Sequence, residues 1–382
     1  MFDICIIGGG ASGMAAAVTA AEADSHLNIL ILEKKEEMGR KIIASGNGRC
    51  NLSNLACENY AATEEFFRHI GLPVRSDSDG RVYPYTEESK AVYEALRGKM
   101  ELLGVNIVTG AEVTAVEKTE NSAVPYFHIH TADRKYSAKK VLLATGGKSA
   151  PSCGTTGDGF KFARKLGHTV TKLVPVLTAV ETAEDIKSFA GIRAKAEVSL
   201  KFRNEEIFRE AGEVQFTKTG ISGICVFNLS RHLLIPPGCS FKDGFKDYEI
   251  CIDFVPGMDA DELLLSREKE GFKGEETLKF IVRDSIAKDI FKKSEGNTAG
   301  MAALLKSYIL HPVNVRGWDF AQVTKGGVVC DEIDPDTMES RIVSGLYFSG
   351  EVMDFDGPCG GFNLQHAWET GIQAGKGMTK NG

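Results

Sequence analysis

The sequence predicts an α/β protein: a Rossmann-like domain assembled from both ends of the chain, with a β-rich, barrel-like domain and a small helical subdomain inserted between them. Three observations carry this. The chain opens on a strand, a glycine turn, a helix and a second strand. It closes on a strand ending in an acid, followed by a glycine-rich helix start. In between, the pattern changes to short alternating strands after Gly167 and to helical periodicity from Asp259. The expected boundaries are 1–168 with 312–382 for the discontinuous domain, 169–257 for the β-rich domain and 258–311 for the helical one.

Asp3–Ile7 is a run of mostly β-branched apolar residues, as in a strand buried on both faces. Gly8, Gly10 and Gly13 follow at once in a G-x-G-x-x-G arrangement, with Ala11 and Ser12 inside it. Met14–Ala23 is rich in Ala and reads as a helix, and Asn28–Leu32 is a second strand. It ends on Glu33, twenty residues beyond Gly13, where a dinucleotide site places the acceptor for a ribose hydroxyl. Gly8 permits the tight turn, Gly10 lets backbone approach a pyrophosphate, and Gly13 lets the helix pack close to the strand. The helix N-terminus offers N–H groups and a partial positive charge to phosphates.

A chain of 382 residues, 43% hydrophobic and 25% charged, has the balance of a globular protein with a sizeable core. The net charge of −7 argues against a broad nucleic-acid-binding surface, though not against a local basic patch. The nine cysteines form no C-x-x-C pair, and the first strand begins at the third residue. The expectation is reduced thiols in the cytoplasm, with neither a disulfide framework nor a metal site. Apolar runs are strand-length, so no membrane-spanning helix is expected.

Lys34 to Asn54 shows neither helix nor strand pattern. Gly39, Arg40 and Lys41 precede Ser45, Gly46, Asn47, Gly48, Arg49, Cys50 and Asn51, a stretch whose Gly and Asn residues mark unusual backbone angles. Such a basic loop is either a solvated surface or a wrap around a pyrophosphate. It leaves the strand that already points at the dinucleotide, which favours the wrap.

These segments together resemble the signature of the BaiN/RdsA family of NAD(P)/FAD-dependent oxidoreductases, which includes aminoacetone-oxidase-like flavoproteins. The resemblance continues at Gly80–Pro84, Ala144–Gly147, Thr324–Val328 and Thr337–Ser340, and is strongest over Gly345–Asn363. It implies a two-dinucleotide-binding-type FAD domain. In that fold the backbone at Val113 meets the adenine, and Ala144, Thr145, Gly146 and Gly147 pass close to the cofactor. Glu351, after Gly350, reaches the ribityl or pyrophosphate region. Asp354, Gly360, Gly361, Phe362 and Asn363 complete the implied site, where the last helix turns its N-terminus toward the flavin pyrimidine.

Along the rest of the chain, Thr63–Ile70 reads as a short helix and Thr86 as the N-cap of a helix from Glu87 to Leu103. Val105–Val108, Ala111–Val116, Tyr126–Thr131 and Lys140–Ala144 read as strands. Phe160–Leu166 is a helix, and Asp158 either caps it or stays near the flavin. The β-rich stretch holds strands at 169–180, 196–202, 206–209, 213–216 and 247–254, a helix at 221–234 and a break at Pro236-Pro237-Gly238. Leu364–Met378 is the final helix.

FAD is the expected cofactor. No second G-x-G-x-x-G follows a strand, so NAD(P)H is expected only as a transient donor. Flavin carries hydride at N5, and the protein supplies position and a proton route. The resemblance implies a reductase of an activated C=C bond. The alternatives are an oxidase of small amines such as aminoacetone, and a protein that reduces a uridine of ribosomal RNA or binds RNA without turnover. Cys50 and Cys359, each in a glycine loop, are weak candidates for a catalytic thiol, against the simpler reading of close packing. His366, one turn into the last helix, reads as a packing or capping residue.

Overall fold

The computed structural model describes residues 1–119, 126–235 and 239–380, so the break expected at Pro236-Pro237-Gly238 lies outside the described residues. The chain divides into two compact units, 1–174 with 323–382, and 175–322. Two units stand where three domains were expected. Leu264, Ile286, Ile290, Met301 and Leu305 of the helical stretch share one apolar core with strand residues Val198, Leu200, Val214 and Ile250.

The first unit is built on a sheet ordered Asn106–Val108, Ile29–Leu32, Phe2–Ile7, Lys135–Leu143, Phe127–Thr131, Val113–Lys118, with Leu346–Phe348 also paired to Lys135–Leu143. The inner pairings are parallel, and the last two strands of the path form an antiparallel meander. Ile4, Cys5 and Ile6 are fully buried, which is why their stretch is apolar without alternation.

Helix Ala11–Ala23 packs along the final helix, Phe362–Thr379, through small residues. A Cβ on Gly371 would lie 2.4 Å from the Ser12 carbonyl oxygen, and one on Gly375 would lie 2.7 Å from that of Ala16. The register rises together on both helices, so they run parallel. Ser12 is level with Gly371, so Ala11, the first residue of the first helix, is level with Thr370, and Phe362 to Glu369 of the final helix extend past it. At 1.5 Å per residue the overhang is about 12 Å.

Three sequence expectations shift locally. Residues 34–54 are not all loop: Arg40–Ala44 is a short helix that buries Ile42, Ser45–Gly48 is a 3₁₀ turn, and Ser53–Asn54 pairs with Arg81–Pro84. The helix expected at Glu87 starts at Ser89 and Thr86 does not cap it, because Glu87 has φ +54°, outside helical space. The expected pair of short strands at 206–216 is one continuous strand, Glu205–Phe216.

The second unit holds an antiparallel sheet in the order Tyr308–Leu310, Tyr248–Asp253, Arg193–Phe202, Glu205–Phe216, Gly220–Ser222, Val180–Thr182, Pro312–Val315. Its two edge strands are joined by His311 alone. Laid flat, seven strands would separate those edges by about 29 Å, several times what one residue spans. The sheet therefore curls round on itself, and the barrel-like expectation has its physical cause here. Among the described residues no helix is long and apolar enough to cross a membrane.

Candidate cofactor site

The site of the first unit starts at the glycine turn. Gly8 has φ +110°, and a Cβ there would sit 2.4 Å from the Ala144 carbonyl oxygen, so the turn and the Ala144–Gly147 segment touch only because Gly8 has no side chain. The helix after it is capped by Gly10 with no side-chain hydrogen bond. A Cβ on Gly10 would meet nothing within 4 Å. Open space thus lies before an uncapped helix N-terminus, which fits a pyrophosphate.

Glu33 stands beside that space. Its Oε2 accepts from Gly9 N and its Oε1 from Lys35 N, both at 2.9 Å. Each carboxylate oxygen keeps lone-pair capacity for a ribose hydroxyl. Ala111 N donates to the Glu33 carbonyl oxygen at 2.8 Å, which brings the start of the Val113 strand to the same edge.

Two ion pairs close the site across long sequence distances. Lys34 Nζ donates to Asp158 Oδ2 at 2.7 Å and to the Thr156 hydroxyl. Burial alone would raise the Asp158 carboxyl, but hydrogen bonds from Lys34, Thr156 and Lys161 hold it at about 2. Asp158 does not cap its helix; Gly157 occupies that position and Asp158 lies in the first turn. Lys41 Nζ donates to Glu351 Oε2 at 2.5 Å, and Glu351 Oε1 accepts from Thr324 N at 2.8 Å. The Thr324 hydroxyl in turn accepts from Lys148 N at 2.7 Å and Ser149 N at 3.0 Å, which clamps the turn after Gly147.

The 45–54 segment and the C-terminal glycines meet. Asn54 Nδ2 donates to the Gly360 carbonyl at 2.9 Å, Ser53 Oγ to Gln365 Oε1 at 2.6 Å and Trp368 Nε1 to the Leu52 carbonyl at 2.9 Å. Gly361 has φ +102°, and a Cβ there would fall 2.2 Å from the Ser53 carbonyl oxygen. Asn51 Oδ1 is buried with no partner, a polar atom that a bound ligand would satisfy. Gln365 and Trp368 went unread in the sequence, where an amide and an indole on a buried helix carry no distinctive spacing.

Other expected residues lie less centrally. Arg49 turns toward the Tyr83 ring, 5.0 Å away, and Glu87. Arg40 is exposed. The Asn363 side chain is occupied in folding back its own loop, with bonds to Gly357 and Pro358 at 2.8–3.2 Å, so it shapes the loop. Asp354 N donates to the Val328 carbonyl at 2.9 Å. Cys50 is fully buried, and burial pushes its thiol up to about 12, which suits packing and not catalysis. Cys359 stays partly exposed on the glycine loop.

This chain matches the family described as "HI0933-like protein Rossmann domain" over residues 2–64 and 59–377. It is 35% identical to the 3-dehydro-bile acid delta(4,6)-reductase of Clostridium scindens, over 98% of each chain. It is 28% identical to the ribosomal RNA dihydrouridine synthase of Escherichia coli, over 97% of this chain and 96% of that one. Among solved structures, the 3-ketosteroid delta1-dehydrogenase of Sterolibacterium denitrificans superposes with TM-score 0.56 at 13% identity over 99% of each chain, a likeness of fold. The glycine turn, Glu33 beside it and the interlocked chain ends fit a flavin dinucleotide, and with these matches the chain belongs to the HI0933-like Rossmann family of BaiN/RdsA-type flavoproteins and is an FAD-dependent oxidoreductase.

Proposed function

We propose that the chain is a reductase that delivers hydride to an activated C=C bond of a small, largely apolar substrate such as a conjugated enone, with NAD(P)H as the electron source. The observation that carries this reading is the 35% identity, over 98% of both chains, to an enzyme named for reducing a dehydro bile acid. FAD supplies the hydride-transfer chemistry when bound. Gly10 and the first helix's N-terminus receive its phosphates, and Glu33 receives a ribose hydroxyl. Lys41, Glu351 and Thr324 hold the strand ends together along the cofactor's length. The N-terminus of the final helix places partial positive charge beside the 357–361 loop, where it favours an electron-rich ring. Cys359, partly exposed on that loop, is the candidate for protonating the carbon next to the hydride acceptor.

The test is NAD(P)H oxidation under nitrogen in the presence of a Δ4-3-keto steroid. Saturated product with one nicotinamide oxidised per double bond is expected. No turnover with the enone, together with rapid oxygen uptake on aminoacetone, would replace the reading with an amine oxidase.

A second reading has one specific observation behind it. In the second unit Arg193, Lys195 and Arg283 line a groove of about 400 Å³ with Phe280, a residue 84% exposed. Cations around an exposed aromatic ring are the elements of a single-strand RNA surface. Glu213, ion-paired to Arg193, and Asp284 dilute that charge. The Escherichia coli relative is named for acting on ribosomal RNA. RNA binding that weakens steeply with salt, with dihydrouridine appearing in the RNA, would favour this substrate over the enone.

A further inference from the structure

Phe280 holds a position that disfavours phenylalanine. It is almost fully exposed, so its ring adds little to the core. Its backbone is left-handed, with φ +68°. Lys279 before it has φ −60° and ψ 135°, and Ile281 N donates to the Leu278 carbonyl at 3.1 Å. This is the geometry of a type II turn, whose third residue is normally Gly or Asn because other side chains are strained there. The turn is also braced. Arg267 donates from Nε to the Thr277 carbonyl at 2.7 Å and from Nη2 to the Lys279 carbonyl at 2.9 Å. A strained, exposed aromatic ring on a braced turn points to a use other than folding.

The groove beside the ring indicates that use. Its apolar lining includes Phe254, Ile281 and Ile286. Phe254 and Ile286 are buried members of the unit's core, so this floor is formed before any ligand arrives. The exposed side chains of Arg193, Lys195 and Arg283 line the same groove. Among the described residues neither Lys195 nor Arg283 has a carboxylate within ion-pair distance. Arg193 pairs with Glu213 at 3.2 Å, but both side chains are more than half exposed and the pair is weak. The lining acid is Asp284. An apolar floor with uncompensated cations complements one molecule that is apolar along its body and anionic at one end. A nucleic-acid backbone calls for a track of cations, and here Glu213 occupies one of three while Asp284 repels phosphate.

We propose that this groove binds a small amphipathic carboxylate. Its aliphatic or polycyclic body lies on Phe254 and Ile286 under the Phe280 ring, and its carboxylate is held by Lys195 and Arg283. The site belongs to the second unit alone and does not depend on the reductase reading.

The test is calorimetric titration of the flavin-loaded chain with dodecanoate and with cholate, each below its micelle-forming concentration, and with neutral dodecyl maltoside. Native protein should take up one equivalent of at least one acid, and the maltoside should bind at least tenfold more weakly. The paired variant Lys195→Gln with Arg283→Gln should lose about tenfold or more in affinity for that acid. Phe280→Asn, whose residue tolerates the left-handed turn, should also weaken the acid while melting no lower than the native chain. No saturable uptake of either acid overturns the proposal, and so does equal affinity in the native and charge-deleted proteins. A lower melting temperature for Phe280→Asn overturns it as well, since the ring would then be supporting the fold. Displacement of the bound acid by a short single-stranded RNA gives the groove to RNA and rejects the small-molecule site.

Discussion

Glu33 serves two purposes with one carboxylate. It ties the glycine turn to the second strand through Gly9 N and Lys35 N, and in the proposed site it also takes a ribose hydroxyl. Glu33→Ala should lower FAD affinity by about tenfold or more and cost about 1–3 kcal/mol of stability, because two buried-side N–H donors lose their acceptor. Unchanged flavin content in the folded variant would remove the ribose assignment. Asp158 gives a pH signature. Its folded pKa of about 2 lies below the ordinary aspartate value of about 4, so its contribution to stability is present above about pH 4 and is lost as pH falls toward 2. Asp158→Asn should flatten the melting temperature against pH between about 5 and 2. Identical acid limbs for both proteins would contradict the Lys34 clasp. Glu33 stands out in sequence because it follows a strand at a fixed distance from the glycines, and the structure puts its carboxylate on Gly9 N. The Lys34–Asp158 and Lys41–Glu351 pairs were not legible as pairs, since 124 and 310 residues separate the partners and only the fold brings them together.

At the scale of elements, the final helix is the piece that makes the site whole. It lies on the first helix through Gly371 and Gly375, and Trp368 and Gln365 pin it to the 51–54 segment. Gly361→Ala should cost about 1–3 kcal/mol, since a left-handed φ and a contact with the Ser53 carbonyl both oppose a methyl group there. Thermal melting reads this directly, and a wild-type melting temperature would contradict the close approach. Trp368→Phe keeps the ring but leaves the Leu52 carbonyl unpaired, with an expected loss of about 1–3 kcal/mol. The strand–glycine–helix–strand opening was legible because its periodicities are local. The start of the helix at Ser89 was not, because the left-handed turn at Glu87 has no reliable residue signal when Gly is absent.

At the scale of the molecule, the discontinuous first unit was legible from the matched chain ends, and the pairing pattern of the second was not. The edge strands around His311 close a sheet in which Pro312–Val315 pairs with Val180–Thr182, about 130 residues earlier, and alternation of apolar residues does not encode such partners. The merging of the helical stretch into the same core follows from amphipathic faces that find their cover only in three dimensions. What the whole arrangement asserts is that two chain ends build one flavin site. Crystallography of the FAD complex tests that claim most directly. The expected density runs from Glu33, past Gly10, to the loop at Gly360, with the pyrophosphate against the N-terminus of helix Ala11–Ala23. FAD bound elsewhere, or with its ring at Glu33, would contradict it.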